Sequence, residues 1–320
     1  INLNGTWQFT TKPAGEFWKE TSSTGWKAIH VPGEPMMQGF VLKHDVEYAY
    51  RKLIHIPRDF AGKRIFLRFN GVYSYARVWI NAQFVREHHG GFTSWDCDIT
   101  SLVEAGHTAT LTVGVTDRLD EISFGSGYAH HPIGGMLRGV ELLALPEYHI
   151  RSLYTTVHFD SQYRNAVISI RSNLNKPAAA ILEFSLYDPS GQQVALKASA
   201  ISFSEAQPTA SLDIPVDSPL PWDAEHPRLY TLKARLIQQG SATEVISQRI
   251  GFREVRVQGN KLYVNGMPVK LRGACRHDIH PTQGRSTTRE QDKLDVLLAK
   301  EANFNFIRTS HYPPSKEFLE

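Results

Sequence analysis

The sequence predicts a mainly β chain that ends in a strand, helix, strand unit, and three observations carry that reading. Short alternating runs bounded by turn residues fill the first 250 or so positions, which is the pattern of sandwich and barrel strands. The strand-like runs after Pro146 differ in flavour, so a second β domain begins there. Past Arg253 a hairpin signal, an amphipathic helix and a further strand follow one another, the order of a βαβ unit.

In the first segment, residues 1–146, the runs Arg64–Phe69, Ala76–Ile80 and Thr110–Val115 are each too short for a helix and rich in β-branched or aromatic side chains. Asn70-Gly71, Gly90-Gly91 and Gly134-Gly135 interrupt them, which predicts a jelly-roll double sheet. Residues 147–252 hold about seven strands, the number of an immunoglobulin-like sandwich. Among them are Tyr154–Phe159, Ala166–Ile170 and Ala180–Tyr187, and Asp188-Pro189-Ser190-Gly191 reads as a turn. Pro215, Pro219, Pro221 and Pro227 are expected at strand ends or connections, because proline cannot donate to a central ladder.

In residues 253–320, Asn265-Gly266 between Leu262–Val264 and Val269–Leu271 predicts a tight hairpin. Thr288-Arg289-Glu290-Gln291 has the spacing of a capping box, and Leu294, Leu297, Leu298 and Ala302 then form one apolar stripe. Phe304–Arg308 returns to strand character, completing the first βαβ step of a parallel sheet or barrel.

A length of 320 residues fits two or three domains of this kind. The net charge of +3 is scattered and not gathered in blocks, which argues against nucleic acid as a partner. No apolar run approaches the roughly 20 residues needed to cross a bilayer. Cys97 and Cys275 fall in different domains, so a structural disulfide is not expected and a cysteine-built metal site is excluded. The start, Ile1-Asn2-Leu3-Asn4-Gly5, has no Met and no charged and apolar leader, and reads as a mature or engineered start. Export with removal of a leader fits it slightly better than a cytoplasmic location, and the compartment stays open.

Candidate chemistry gathers at the ends of the last strands, in Arg272–Pro281 and Arg308–Pro313. Active-site residues of a parallel barrel sit at the C-terminal ends of its strands, so His277 and His311 are expected to face one pocket. A neutral imidazole can donate to or accept from a sugar hydroxyl. Ordinary loop histidines are the alternative. A zinc reading of His277, His280 and His311 matches no ligand spacing, and His88-His89 and His130-His131 read as exposed loop pairs. There is no nucleophile elbow, and Gly125-Ser126-Gly127 lies in a long loop. Cys275 has basic neighbours but no partner scheme, so a packing thiol is its expected role.

Eight landmarks, in order, carry a resemblance. They are Leu3-Asn4-Gly5-Thr6-Trp7, Val31-Pro32-Gly33, Gly90-Gly91-Phe92-Thr93, Gly134–Arg138, Pro227-Arg228-Leu229-Tyr230, Ile250-Gly251-Phe252-Arg253, Asn265-Gly266 leading to Arg272-Gly273, and Arg308–Pro313 preceded by Asn303-Phe304-Asn305. The whole chain resembles the N-terminal portion of family 2 glycoside hydrolases, the β-galactosidases, β-glucuronidases and β-mannosidases. That resemblance implies a jelly-roll sugar-binding domain, an immunoglobulin-like sandwich and the first part of a (β/α)8 TIM barrel, here truncated.

It further implies an exo-acting retaining β-glycosidase, with a β-galactoside ahead of a β-glucuronide. His277 and His311 map to substrate-contacting histidines, Arg308 to the arginine that supports the nucleophile carboxylate, and Asp117 to a jelly-roll aspartate that binds sugar hydroxyls. Tyr73 stands where β-galactosidases carry Asn. Both catalytic glutamates are expected beyond Glu320, which would leave this chain alone inactive. No cofactor is required by the resemblance, a Na or Mg ion in the full-length enzyme is left open, and the full-length protein is a candidate homo-oligomer. With only part of a barrel, the last segment is expected to be poorly ordered, packed on the sandwiches or paired with another copy. A non-catalytic carbohydrate-binding module using Trp79 or Trp95 is the competing reading, against which the βαβ unit speaks.

Overall fold

The computed structural model describes residues 1–119 and 133–320. The readings of Gly125-Ser126-Gly127 and His130-His131 lie outside the described residues. The chain divides into two compact units, Ile1–Leu145 with Gly273–Glu320, and Pro146–Arg272.

The first unit is built on an antiparallel six-stranded sheet, in the order Lys27–Val31, Gly5–Thr10, Glu47–His55, Thr108–Thr116, Tyr75–Ile80, Gln83–His89. A three-stranded sheet of Val140–Leu145, Arg64–Phe69 and Trp95–Asp98 closes over its inner face. Period-two alternation positions the core: in Arg64–Phe69 the side chains of Ile65, Leu67 and Phe69 point inward and the arginines outward. Trp7, Phe9, Tyr50, Leu67, Phe69 and Val113 meet between the sheets with almost no exposure. Trp95 belongs to this core, and Trp79 lies under the parallel ring of Trp18, centroids 4.7 Å apart. Neither offers an open platform for a sugar.

The second unit is a sandwich of a three-stranded sheet (Ile150–Phe159, Ala166–Leu174, Thr209–Val216) and a larger one around Ala180–Tyr187, Tyr230–Gln238 and Ser241–Ile250. Eight strands occur where about seven are expected, the additional one being the two-residue Gln193–Val194. Pro215 is the second-last residue of the strand Thr209–Val216, which lies at a sheet edge where a missing donor is tolerated.

Asn265 (φ 50°) and Gly266 (φ 76°) form the tight turn between Lys261–Val264 and Met267–Val269. The Asn265 side chain accepts from the Glu254 amide at 2.8 Å and donates to the Trp222 carbonyl at 2.9 Å. Buried Glu254 accepts from the Tyr163 hydroxyl, which ties the hairpin to the sandwich it follows.

In Gly273–Glu320, strand Gly273–Arg276 pairs in parallel with Phe306–Thr309, Gly273 opposite Phe306 and Arg276 opposite Thr309. Helix Arg289–Glu301 connects them, with Thr288 as N-cap and the full capping box to Gln291. Gly273–Glu320 packs with the jelly roll in one compact unit. The helix stripe Leu294, Leu297 and Leu298 is nonetheless about half exposed. Among the described residues no helix is long and apolar enough to cross a membrane.

Candidate functional site

Parallel pairing of Arg276 with Thr309 brings the two following loops side by side. His277 and His311 face each other there, ring centroids 5.7 Å apart and planes at 83°. Burial, followed by the charges of Arg285 and His311, holds the His277 imidazole below its usual pKa against the opposing pull of Asp278. Near neutral pH it is therefore an uncharged group with one donor and one acceptor nitrogen.

The loop carrying His277 is fixed from below and from the jelly roll. Arg276, almost fully buried, holds Asp278, Asp292 at 2.6 Å and Asp295 at 2.7 Å. Asp278 also pairs with Arg138 at 3.1 Å, and Arg138 donates to the carbonyls of Phe92 and Pro313. Buried Glu34 accepts from the Arg285 amide at 2.8 Å, and the Ser286 hydroxyl donates to the Leu137 carbonyl at 2.9 Å. Phe92 stacks on Tyr312, centroids 4.0 Å apart, within a small cluster that includes Tyr73, Ile133 and Leu137. Tyr73, the departure from the β-galactosidase pattern, thus fills an apolar contact next to this loop.

These supports escaped the sequence reading. A signal for one of them is present: Asp292 and Asp295, three apart, lie on one helix face opposite a strand arginine.

Asp117 lies at the end of the jelly-roll strand Thr108–Thr116. Its carboxylate is buried and accepts from the Ile133 and Gly134 amides at 2.7 and 3.1 Å, with His44 Nδ1 at 3.4 Å from the other oxygen. Burial raises its pKa, and these contacts make it a clamp on the chain before Gly135. Arg308 Nη1 is 3.7 Å from the Cys275 sulfur. Cys275 is exposed and not a packing thiol, and hydrogen bonds from Ser310 and Arg308 lower its pKa. His88 and His89 are strand residues, not a loop pair; His88 stacks on Trp95 at 4.6 Å and burial pushes its pKa down to about 4.

A cleft of about 700 Å³ also opens in the first unit, lined by polar side chains such as Asn4, Gln38, Asn70, Arg138, Thr288 and Glu317. Neither His277 nor His311 lines it, so the histidine pair remains the site with defined chemistry. No group of three or more His, Cys, Asp or Glu side chains among the described residues could hold a metal.

Comparison with known proteins assigns the architecture. The glycosyl hydrolases family 2 sugar binding domain matches residues 1–146, the family's central domain 148–253, and its TIM barrel domain 255–320. The chain belongs to glycosyl hydrolases family 2. It is 30% identical over 357 aligned residues to a β-galactosidase of Priestia megaterium, covering 100% of this chain and 34% of that protein. Against a β-galactosidase of Thermoanaerobacter pseudethanolicus it is 27% identical, with 100% and 44% covered. A solved Bacteroides uniformis β-glucuronidase 2 superposes with a TM-score of 0.87 at 28% identity, covering 100% of this chain and 40% of that one. The chain therefore spans between a third and a half of the length of these family 2 relatives.

Proposed function

We propose that these residues form the substrate-positioning front of an exo-acting retaining β-glycosidase, with a terminal β-galactoside as substrate. The observation that carries the reading is the facing pair His277 and His311 at the C-terminal ends of adjacent parallel strands. An uncharged His277 suits hydroxyl recognition, and Arg308 lies on the second of these strands, where it could brace a carboxylate from a later strand.

Retaining chemistry needs two carboxyl groups about 5 to 5.5 Å apart, one as nucleophile and one as acid/base. Asp278 is engaged by Arg276 and Arg138, and Asp292 by Arg276 and Ser315, so both act as structural anions. The 320 residues by themselves are then a sugar-positioning part without turnover. Hydrolysis of a nitrophenyl β-galactoside by the pure 320-residue protein defeats that statement.

A β-glucuronide is the second reading, favoured by the likeness to the Bacteroides uniformis β-glucuronidases, TM-scores 0.87 and 0.86. With the chain continued through a complete barrel, kcat/KM on matched nitrophenyl β-galactoside and β-glucuronide decides between the two.

A further inference from the structure

We propose that Tyr312 is a positioning residue that selects the tautomer of His277, so that Nδ1 is the acceptor and Nε2 carries the ring's N–H. The inference rests on the reading of His277 as a substrate contact and concerns how that contact is set.

The Tyr312 oxygen accepts from the Asp278 amide at 2.9 Å and from Arg285 Nη1 at 3.0 Å. A phenol oxygen has two lone pairs, and both are engaged by these donors. Its own proton remains to be donated, and His277 Nδ1 lies 3.5 Å away. A protonated Nδ1 would instead face a hydroxyl whose acceptor capacity is already filled. Burial raises the Tyr312 pKa, so the phenol keeps its proton at neutral pH. The ring cannot turn away easily, because Phe92 stacks on it at 4.0 Å and the side chain is only 5% exposed. The jelly roll thus reaches the imidazole through one rigid aromatic side chain.

Among the described residues, the charged and titratable groups acting on His277 include Arg285, His311, Asp278 and Tyr312. Removing the Tyr312 hydroxyl takes a donor from Nδ1, which destabilises the neutral imidazole and raises its pKa.

The test is long-range 1H–15N correlation on the 320-residue protein labelled with 15N-histidine, with His277 assigned by a His277→Gln variant. At pH 7.5 the expected spectrum has an unprotonated Nδ1 and a protonated Nε2 for His277. In Tyr312→Phe the two tautomers mix, and the titration midpoint rises by about half a unit to one unit. An Nδ1–H tautomer, or an average of both in the unaltered protein, overturns the proposal. So does a folded Tyr312→Phe protein with an unchanged His277 spectrum. If that variant does not fold, the unaltered protein's spectrum decides alone. No sugar is present in the experiment, so its outcome is independent of whether the glycosidase reading holds.

Discussion

Replacing Arg276 with methionine keeps most of the side-chain stem and removes the cation beneath the His277 loop. Two of its partners, Asp278 and Asp292, are 5% and 3% exposed, so their carboxylates would remain buried without their main counter-ion. Breaking a buried pair from one side costs about 3 to 5 kcal/mol. Asp278 keeps Arg138 and Asp292 keeps the Ser315 hydroxyl, which moves the expectation to the lower end. Asp295 is 45% exposed and adds under about 1 kcal/mol. The total is about 3 kcal/mol, or roughly a hundredfold in an opening equilibrium.

Native-state hydrogen exchange reads this locally: amides of Gly273–Arg276 and Phe306–Thr309 lose about two decades of protection, and those of Ala180–Tyr187 in the other unit are unchanged. Adding Asp292→Asn should recover more than half of the loss, because the uncompensated charge disappears. A loss below about fivefold, or one spread equally over both units, refutes the claim that Arg276 anchors the segment.

Gly266→Ala should destabilise the second unit by about 1 to 2 kcal/mol in denaturant unfolding, since φ is 76° and a Cβ would stand 2.5 Å from the Tyr163 ring. Iodoacetamide at pH 8 should label exposed Cys275 and spare Cys97, whose thiol burial pushes up to about 12; Arg308→Ala should slow Cys275 labelling at pH 7 by raising its pKa. His88 has a folded pKa of about 4 against 6.5 for the free side chain, so the unfolded chain takes up its proton first. The first unit therefore loses stability as pH falls from about 6.5 to about 4, and His88→Phe should make that decline shallower in thermal unfolding scans, whereas an unchanged slope rejects the burial argument.

Local devices were legible in the sequence because their physics is local. The Asn265-Gly266 hairpin needs positive φ at both residues, and the Thr288–Gln291 box caps a helix with side chains three apart. The pairing of His277 with His311 followed from strand order alone, since adjacent parallel strands deliver their C-terminal loops to one side. The Arg276 and Arg138 network was not legible, because it joins residues up to 175 positions apart and spacing carries no signal at that range.

Asp117 shows a further non-local contact: one of its carboxylate oxygens accepts from the Ile133 and Gly134 amides, which no sequence window around position 117 contains. His88, expected in an exposed loop pair, continues the strand Gln83–His89 and covers Trp95. Side-chain burial of this kind depends on the facing sheet, which no window of sequence contains.

His277 and His311 carry the proposal that the sugar of a family 2 β-glycosidase is positioned here. Its most direct test is kcat/KM for nitrophenyl β-galactoside in the chain continued through a complete barrel, compared with His277→Ala and His311→Ala. Each variant should fold and lose about a hundredfold, the scale of one buried hydrogen bond made more strongly in the transition state. Unchanged kcat/KM in both folded variants would contradict the claim.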